Sequence, residues 1–108
     1  MKLVELINYF RKGGNYKDFC NTHVLNIDSE VIEIYMRTPL KLENELDFFE
    51  IEQTEGMLDF ELDGVKFYNL FDFYFFLDAI EESNNEENKR LSDQEIAKKL
   101  FNYAINNA

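Results

Sequence analysis

Hydrophobic spacing predicts helices at the two ends of the chain. The first apolar stripe has the spacing i, i+3, i+4, i+7 of an amphipathic helix and consists of Leu3, Leu6, Ile7 and Phe10. It predicts a helix over residues 2–12. Gly13 is expected to end this helix by adopting the left-handed backbone conformation. Asn15 is a good N-cap for a second helix over residues 15–23. Ser92 and Glu95 form a capping box ahead of a last helix over 92–106.

The middle of the chain has the alternation of β-strands. Asp63-Gly64 separates two alternating runs and predicts a hairpin of strands 57–62 and 65–69 with a type I′ turn. Residues 46–53 alternate as well, with Phe49 and Ile51 on one side. A tight connection near Gly56 would place this run beside 57–62. The expected sheet is therefore a three-stranded antiparallel meander with one buried side.

Two segments have mixed signals. In 28–37, the β-branched run that begins at Val31 favours a strand, whereas Asp28 or Ser29 can cap a helix. We favour the helix there, and Pro39 ends the element in either case. The aromatic segment 70–82 suits a strand by composition, but its length and the spacing of Asn69 and Asp72 favour a helix. Residues 81–90 are polar and are expected to form a mobile surface loop.

These elements make an α+β fold, with the three-stranded antiparallel meander packed against four to five short helices. At 108 residues the chain corresponds to one domain, 1–108. An aromatic content of 16% excludes a globally disordered chain. The predicted core consists of Leu6, Phe10, Phe49, Ile51, Phe60, Leu62, Phe67, Phe73, Leu77, Ile96 and Leu100.

The residues give little support to an enzyme. Cys20 and His23 are three apart on a short helix and can approach each other, yet they share a stripe with Tyr16 and Phe19. A buried thiol that fills space is the favoured interpretation. With one histidine in the chain there is no typical zinc site, and no glycine-rich phosphate loop is present. We therefore predict no catalytic residue, no metal and no cofactor, and we expect Cys20→Ser to leave function intact.

The charge is the strongest feature that remains. Asp and Glu number 22 against 11 Lys and Arg, so the formal net charge is −11, which disfavours binding to nucleic-acid phosphates. In the expected meander, Glu52 lies opposite Asp59 and Glu50 opposite Glu61, and such opposed like charges are destabilising. A basic partner would turn this repulsion into attraction. The predicted partner-binding residues are Phe48, Glu50, Glu52, Asp59, Glu61 and Tyr68.

Three parts of the sequence are distinctive when taken together. They are the helix pair Leu3–Phe10 and Tyr16–Cys20 joined by Gly13-Gly14, the run 48–52 (FFEIE) and the run 67–74 (FYNLFDFY). With these segments the chain resembles small immunity proteins of bacterial contact-dependent growth inhibition and related polymorphic toxin systems. The resemblance implies a cytoplasmic protein, encoded beside a toxin, that binds the toxin's C-terminal domain, often a nuclease. These immunity proteins have diverse folds and no catalytic signature. The resemblance therefore assigns a function to no particular residue.

We therefore expect a binding protein that neutralises a basic toxin domain through its acidic, aromatic-bearing surface. The alternatives are an inhibitor that mimics nucleic acid to block a nuclease complex, and an adaptor domain that inhibits nothing. One cysteine and the absence of a signal-peptide pattern at Met1–Glu5 suit the cytoplasm. No apolar run reaches the roughly 20 residues that span a membrane, and we expect a monomer when the protein is free. The segments Glu43–Glu45 and Glu81–Glu87 are the next candidate surfaces.

Overall fold

The computed structural model describes residues 1–85 and 89–106. Within these residues the chain forms an α+β fold of five helices and four strands. In chain order the elements are α1 (Leu3–Arg11), α2 (Tyr16–Thr22), β1 (Ile32–Arg37), β2 (Leu46–Glu50), α3 (Ile51–Thr54), β3 (Asp59–Leu62), β4 (Val65–Asp72), α4 (Phe73–Ser83) and α5 (Asp93–Asn106). The α+β class is confirmed, but the sheet has one strand more than expected.

The extra strand is β1, which runs through the segment for which we favoured a helix, and that prediction is wrong. The sheet has the order β2-β1-β4-β3 with antiparallel neighbours, so β1 is a central strand. Ile32 and Ile34 pack among the helices, while Tyr35, on the opposite side, is also fully buried. A strand covered on both sides suits a β-branched run. We call the side of Ile32 the helix side of the sheet and the side of Tyr35 the outer side.

The hairpin is confirmed in its register. Leu62 pairs with Val65 and Phe60 with Phe67, and both residues of the Asp63-Gly64 turn have positive φ, as a type I′ turn requires. The meander is wrong, because β2 pairs with β1 and lies at the opposite edge of the sheet from β3. The predicted strand 46–53 ends at Glu50, where the chain turns into α3.

The boundary between β4 and α4 lies later than expected. The predicted helix 70–82 begins at Phe73, because Leu70–Asp72 still belongs to β4. Asp72 is the N-cap, and its carboxylate accepts a hydrogen bond from the Phe75 amide at 2.7 Å. A bulge between Ile34 and Tyr35 shifts the β1–β4 register. α4 extends to Ser83 into the segment expected to be a loop, and residues 86–88 of that segment lie outside the described residues.

The terminal helices match their local signals. Gly13 follows α1 at a φ of 93°, and Asn15 caps α2 by accepting a hydrogen bond from the Asp18 amide. The capping box of α5 is present, with reciprocal hydrogen bonds between Ser92 and Glu95. None of the described helices is long and apolar enough to cross a membrane.

The predicted core residues divide into three groups. Six are buried: Leu6, Phe10, Phe67, Phe73, Ile96 and Leu100. Four are only half-buried: Phe49, Ile51, Phe60 and Leu77. Leu62 is exposed, so its assignment to the core is wrong.

The apolar side of the hairpin faces away from the helices. It meets Tyr35 and Phe49 in a cluster with ring centroids 5.1–6.1 Å apart, which we call the outer aromatic cluster: Tyr35, Phe49, Phe60 and Phe67. This cluster buries Phe67 but leaves the tip of the hairpin open at Leu62. The hairpin therefore projects a partly apolar side to solvent.

Candidate functional site: an open acidic sheet edge

The structure divides the predicted acidic patch between the two edges of the sheet. Glu50 ends β2 and Glu52 lies in α3, whereas Asp59 and Glu61 lie on β3. Two strands separate β2 from β3, and three strand spacings of about 4.8 Å place these edges about 14 Å apart. The expected cross-strand pairs Glu50–Glu61 and Glu52–Asp59 therefore do not form. The like-charge repulsion predicted for these pairs is therefore absent.

Glu50 and Glu52 are occupied within the protein. Glu50 accepts a hydrogen bond from the Asn26 amide at 2.9 Å. Glu52 accepts one from the Ser29 hydroxyl and one from the Glu30 amide, and these two bonds lower the pKa of Glu52. Both carboxylates thus hold the turn that leads into β1. Local sequence patterns do not indicate these contacts, because the partners lie more than twenty residues away.

Phe48 and Tyr68 are not the exposed rings that the meander implied. Both are half-buried against the core on the helix side. The Phe48 ring lies 5.1 Å from that of Phe19 and 5.7 Å from that of His23. The exposure predicted for these two rings is therefore wrong, and part of each ring remains accessible.

Asp59 and Glu61 remain exposed and unneutralised. No ion pair or side-chain hydrogen bond joins either carboxylate to another residue in the ranges 1–85 and 89–106. Lys66 lies directly opposite Glu61 in the hairpin, but the two charges are not within ion-pair distance. Asp63, at the turn, is exposed as well. We call Asp59 and Glu61, with the backbone that carries them, the β3 edge.

Two depressions adjoin the β3 edge. One, of about 300 Å³, is lined by Thr38, Asp59, Phe60, Glu61, Lys66 and Phe67. The other, of about 230 Å³, lies between β4 and the last two helices, and Leu58, which precedes β3, lines it together with Phe75 and Tyr103. Leu58 and Tyr103 are each 45% exposed, and the Tyr103 ring stacks on Phe75. Apolar surface therefore continues from the start of the acidic strand.

Sequence reasoning did not assign this apolar surface to a site. Alternation with Phe60 predicts Leu58 on the buried side of the meander, and spacing from Ile96 and Leu100 predicts Tyr103 in the buried stripe of the last helix. Tyr103 lies at the margin of that stripe, where a small rotation of the helix decides between burial and exposure. Met57, which precedes Leu58, is 47% exposed.

A wider depression, which shares Thr38 with the one beside Asp59 and Glu61, has compensated charge. Its volume is about 490 Å³, and its lining residues are Arg37, Thr38, Pro39, Lys41, Asn44, Glu45 and Asp47. Asp47 lies 3.8 Å from Arg37, and Glu45 is paired with the N-terminal ammonium. Positive and negative groups alternate here, so this depression lacks the single sign of charge that distinguishes the β3 edge.

The cysteine and histidine are in positions that suit packing. Cys20 is fully buried, and burial raises the pKa of its thiol, so the thiolate that a nucleophile needs is disfavoured. His23 is more exposed than expected and stacks on Phe19 at 4.1 Å. In the described part of the chain, no three His, Cys, Asp or Glu side chains are grouped to hold a metal ion.

A buried carboxylate that the sequence did not indicate lies on the outer side of the sheet. Glu33 is 7% exposed and accepts hydrogen bonds from the Thr54 hydroxyl at 2.8 Å and the Asn69 amide at 2.7 Å. Tyr35 lies beside it and donates to the Met57 carbonyl. The group has its partners within the protein, so its role is to fasten the 51–58 segment to the sheet. We call Glu33, Tyr35, Thr54 and Asn69 the Glu33 network.

Comparison of the chain with protein-family models, with curated proteins and with solved structures gives no match.

Proposed function

We propose that this protein binds and neutralises a basic toxin domain, such as a nuclease domain, in the cytoplasm of the cell that produces the toxin. The observation that supports the proposal is the β3 edge. There, two carboxylates without internal partners lie beside exposed apolar side chains. Charge of one sign accelerates association with a partner of opposite sign by roughly 10–1000-fold. The adjoining apolar side chains would be buried against the bound partner, which stabilises the complex.

The acidic excess agrees with this choice of partner. The formal net charge of −11 gives a long-range field that attracts basic proteins. Ion pairs within the described residues occupy Glu45, Asp47 and Asp93, none of which belongs to the β3 edge. A nuclease domain must itself present positive charge to bind phosphates, so it fits the field. Rapid neutralisation is what protection of the producing cell requires.

The direct test is capture of the C-terminal domain encoded by the neighbouring gene, followed by survival of cells that express this domain with and without the protein. We expect capture and protection together. Capture without protection would favour an adaptor. Failure to capture the domain, combined with inhibition of an unrelated nuclease, would favour a nucleic-acid mimic.

Charge reversal locates the binding surface. Asp59→Lys with Glu61→Lys should reduce the association rate constant by about tenfold or more and flatten its dependence on salt, because the long-range field is screened over about 8 Å at physiological ionic strength. The matched control reverses Glu43 and Glu81, which are also exposed and change the net charge equally. A larger effect of the control pair would move the site to one of those segments.

A further inference from the structure

Among the residues that the structure describes, no strand pairs with the outer edge of β3. β3 ends the sheet order, and within these residues its hydrogen-bonded neighbour is β4. The two-residue turn makes Leu62 and Val65 a hydrogen-bonded pair, and in an antiparallel ladder such pairs alternate. Phe60 and Leu62 therefore direct their backbone groups at β4. Asp59 and Glu61 direct theirs outward.

The surrounding hydrogen bonds agree with this alternation. The Asn69 amide donates to the Leu58 carbonyl at 2.8 Å, which continues the alternation one step beyond Phe60. In the ranges 1–85 and 89–106, no backbone hydrogen bond outside the ladder involves Asp59 or Glu61. Two amides and two carbonyls are thus available in a row, which is the template for addition of a further strand.

The side chains of β3 specify what kind of strand fits. Asp59 and Glu61 project to the helix side, where Tyr68 and Lys66 are their cross-strand neighbours. Phe60 and Leu62 project to the outer side. A strand added at this edge places side chains about 4.5–5.5 Å from these residues, so complementarity requires basic residues at alternate positions and apolar residues between them. The depression of about 300 Å³ beside Asp59 and Glu61 has room for a long basic side chain.

The same pattern disfavours a second copy of this chain. Acidic residues on an edge strand are a common protection against pairing of like edges. Self-pairing here would place carboxylates opposite carboxylates, which is destabilising. Basic side chains at the same positions would be attracted to the carboxylates of Asp59 and Glu61. The β3 edge therefore favours a basic strand over a second copy of β3.

We propose that the β3 edge takes up an extended segment of the toxin domain, with alternating basic and apolar residues, as a fifth strand of the sheet. This inference rests on the proposed function, because it names how the same partner is held. Backbone hydrogen bonds to Asp59 and Glu61 would fix the segment. The two carboxylates would select its basic side chains.

Amide hydrogen exchange in the wild-type protein tests the pairing directly. Free protein should exchange the outward Asp59 and Glu61 amides quickly. With the toxin domain encoded by the neighbouring gene at about ten times its Kd, their exchange should slow about tenfold. Phe60 and Leu62 are internal controls, since their amides are already bonded to β4. A bound domain that leaves the Asp59 and Glu61 amides unprotected would overturn the inference.

A pair of variants separates the backbone from the charge. Glu61→Thr and Glu61→Pro both remove the carboxylate, but Glu61→Pro also removes the outward N–H, and proline is tolerated where a strand's N–H faces solvent. We expect Glu61→Pro to bind the domain about tenfold more weakly than Glu61→Thr. Equal affinities of two folded variants would contradict strand addition. If Glu61→Pro does not fold, the exchange experiment decides.

The outcomes also separate this inference from the proposed function. If the toxin domain is bound and neutralised but the Asp59 and Glu61 amides are not protected, strand addition is contradicted and the proposed function is retained. If the toxin domain does not bind the wild-type protein, both the strand addition and the proposed function are contradicted.

Discussion

Removal of the Glu33 carboxylate should destabilise the protein far more than removal of any exposed acid. Glu33→Ala leaves two donors, the buried Thr54 hydroxyl and the half-buried Asn69 amide, without their carboxylate acceptor. Each unsatisfied buried donor costs about 1–3 kcal/mol. The variant no longer has to bury a carboxylate, which offsets part of this cost. We expect the free energy of unfolding to fall by about 3 kcal/mol.

Urea denaturation followed by circular dichroism measures this loss. With a urea m-value of about 2 kcal/mol per molar, the midpoint should fall by about 1.5 M. Glu43→Ala is the matched control, because Glu43 is exposed, and its free energy of unfolding should change by less than about 0.5 kcal/mol. A double-mutant cycle with Asn69→Ala should give a coupling of about 1–3 kcal/mol.

The result also tests the role assigned to the Glu33 network. Thr54 is fully buried in α3, and its hydroxyl links the carboxylate to the Gly56 amide. Loss of Glu33 should therefore speed hydrogen exchange of the Gly56 amide before the rest of the chain unfolds. Glu33→Ala with the stability of Glu43→Ala, or with no coupling to Asn69, would refute the claim that this carboxylate fastens the 51–58 segment.

Three further predictions concern stability and the thiol. Phe67→Ala removes a ring that is 5% exposed and should lower the free energy of unfolding by about 3–5 kcal/mol in a urea titration, so an unchanged midpoint would contradict its burial. Cys20→Ser should leave toxin binding unchanged in a titration of the folded variant, because the thiol has a packing role; lost affinity in a folded variant would reopen that role. The hydrogen bond from Asn8, with the hydrogen bond and charge of Arg11, lowers the pKa of Asp93 below 3.8. Its stabilisation is complete above that pH and lost as the pH falls through the lowered pKa, so the stability gap between wild type and Asp93→Asn should close in acid, and a gap independent of pH would contradict this.

The sequence determined the elements whose signals lie within a few residues of one another. Asn15 caps α2 through an amide three residues away, and Ser92 and Glu95 bond to each other across one turn. Asp63-Gly64 fixed the hairpin and its whole register, because a two-residue turn admits one pairing of the flanking strands. The residues that make these interactions are close together in the sequence, so the interactions need no partner from elsewhere in the fold. They could therefore be predicted without knowing the rest of the fold.

Tertiary structure decided which strands meet and which sides are buried. The run that begins at Ile32 can be a helix or a strand by its own residues, and it is a strand because β2 and β4 bond to both its edges. Its insertion separates Glu50 from Glu61 and leaves the β3 edge open. Pairing between distant strands is a competition among all the edges of the chain, and no short stretch of sequence contains its outcome. The sequence was enough to predict Asp59 and Glu61 as acidic binding residues. Their separation from Glu50 and Glu52 depends on the position of β1 in the sheet.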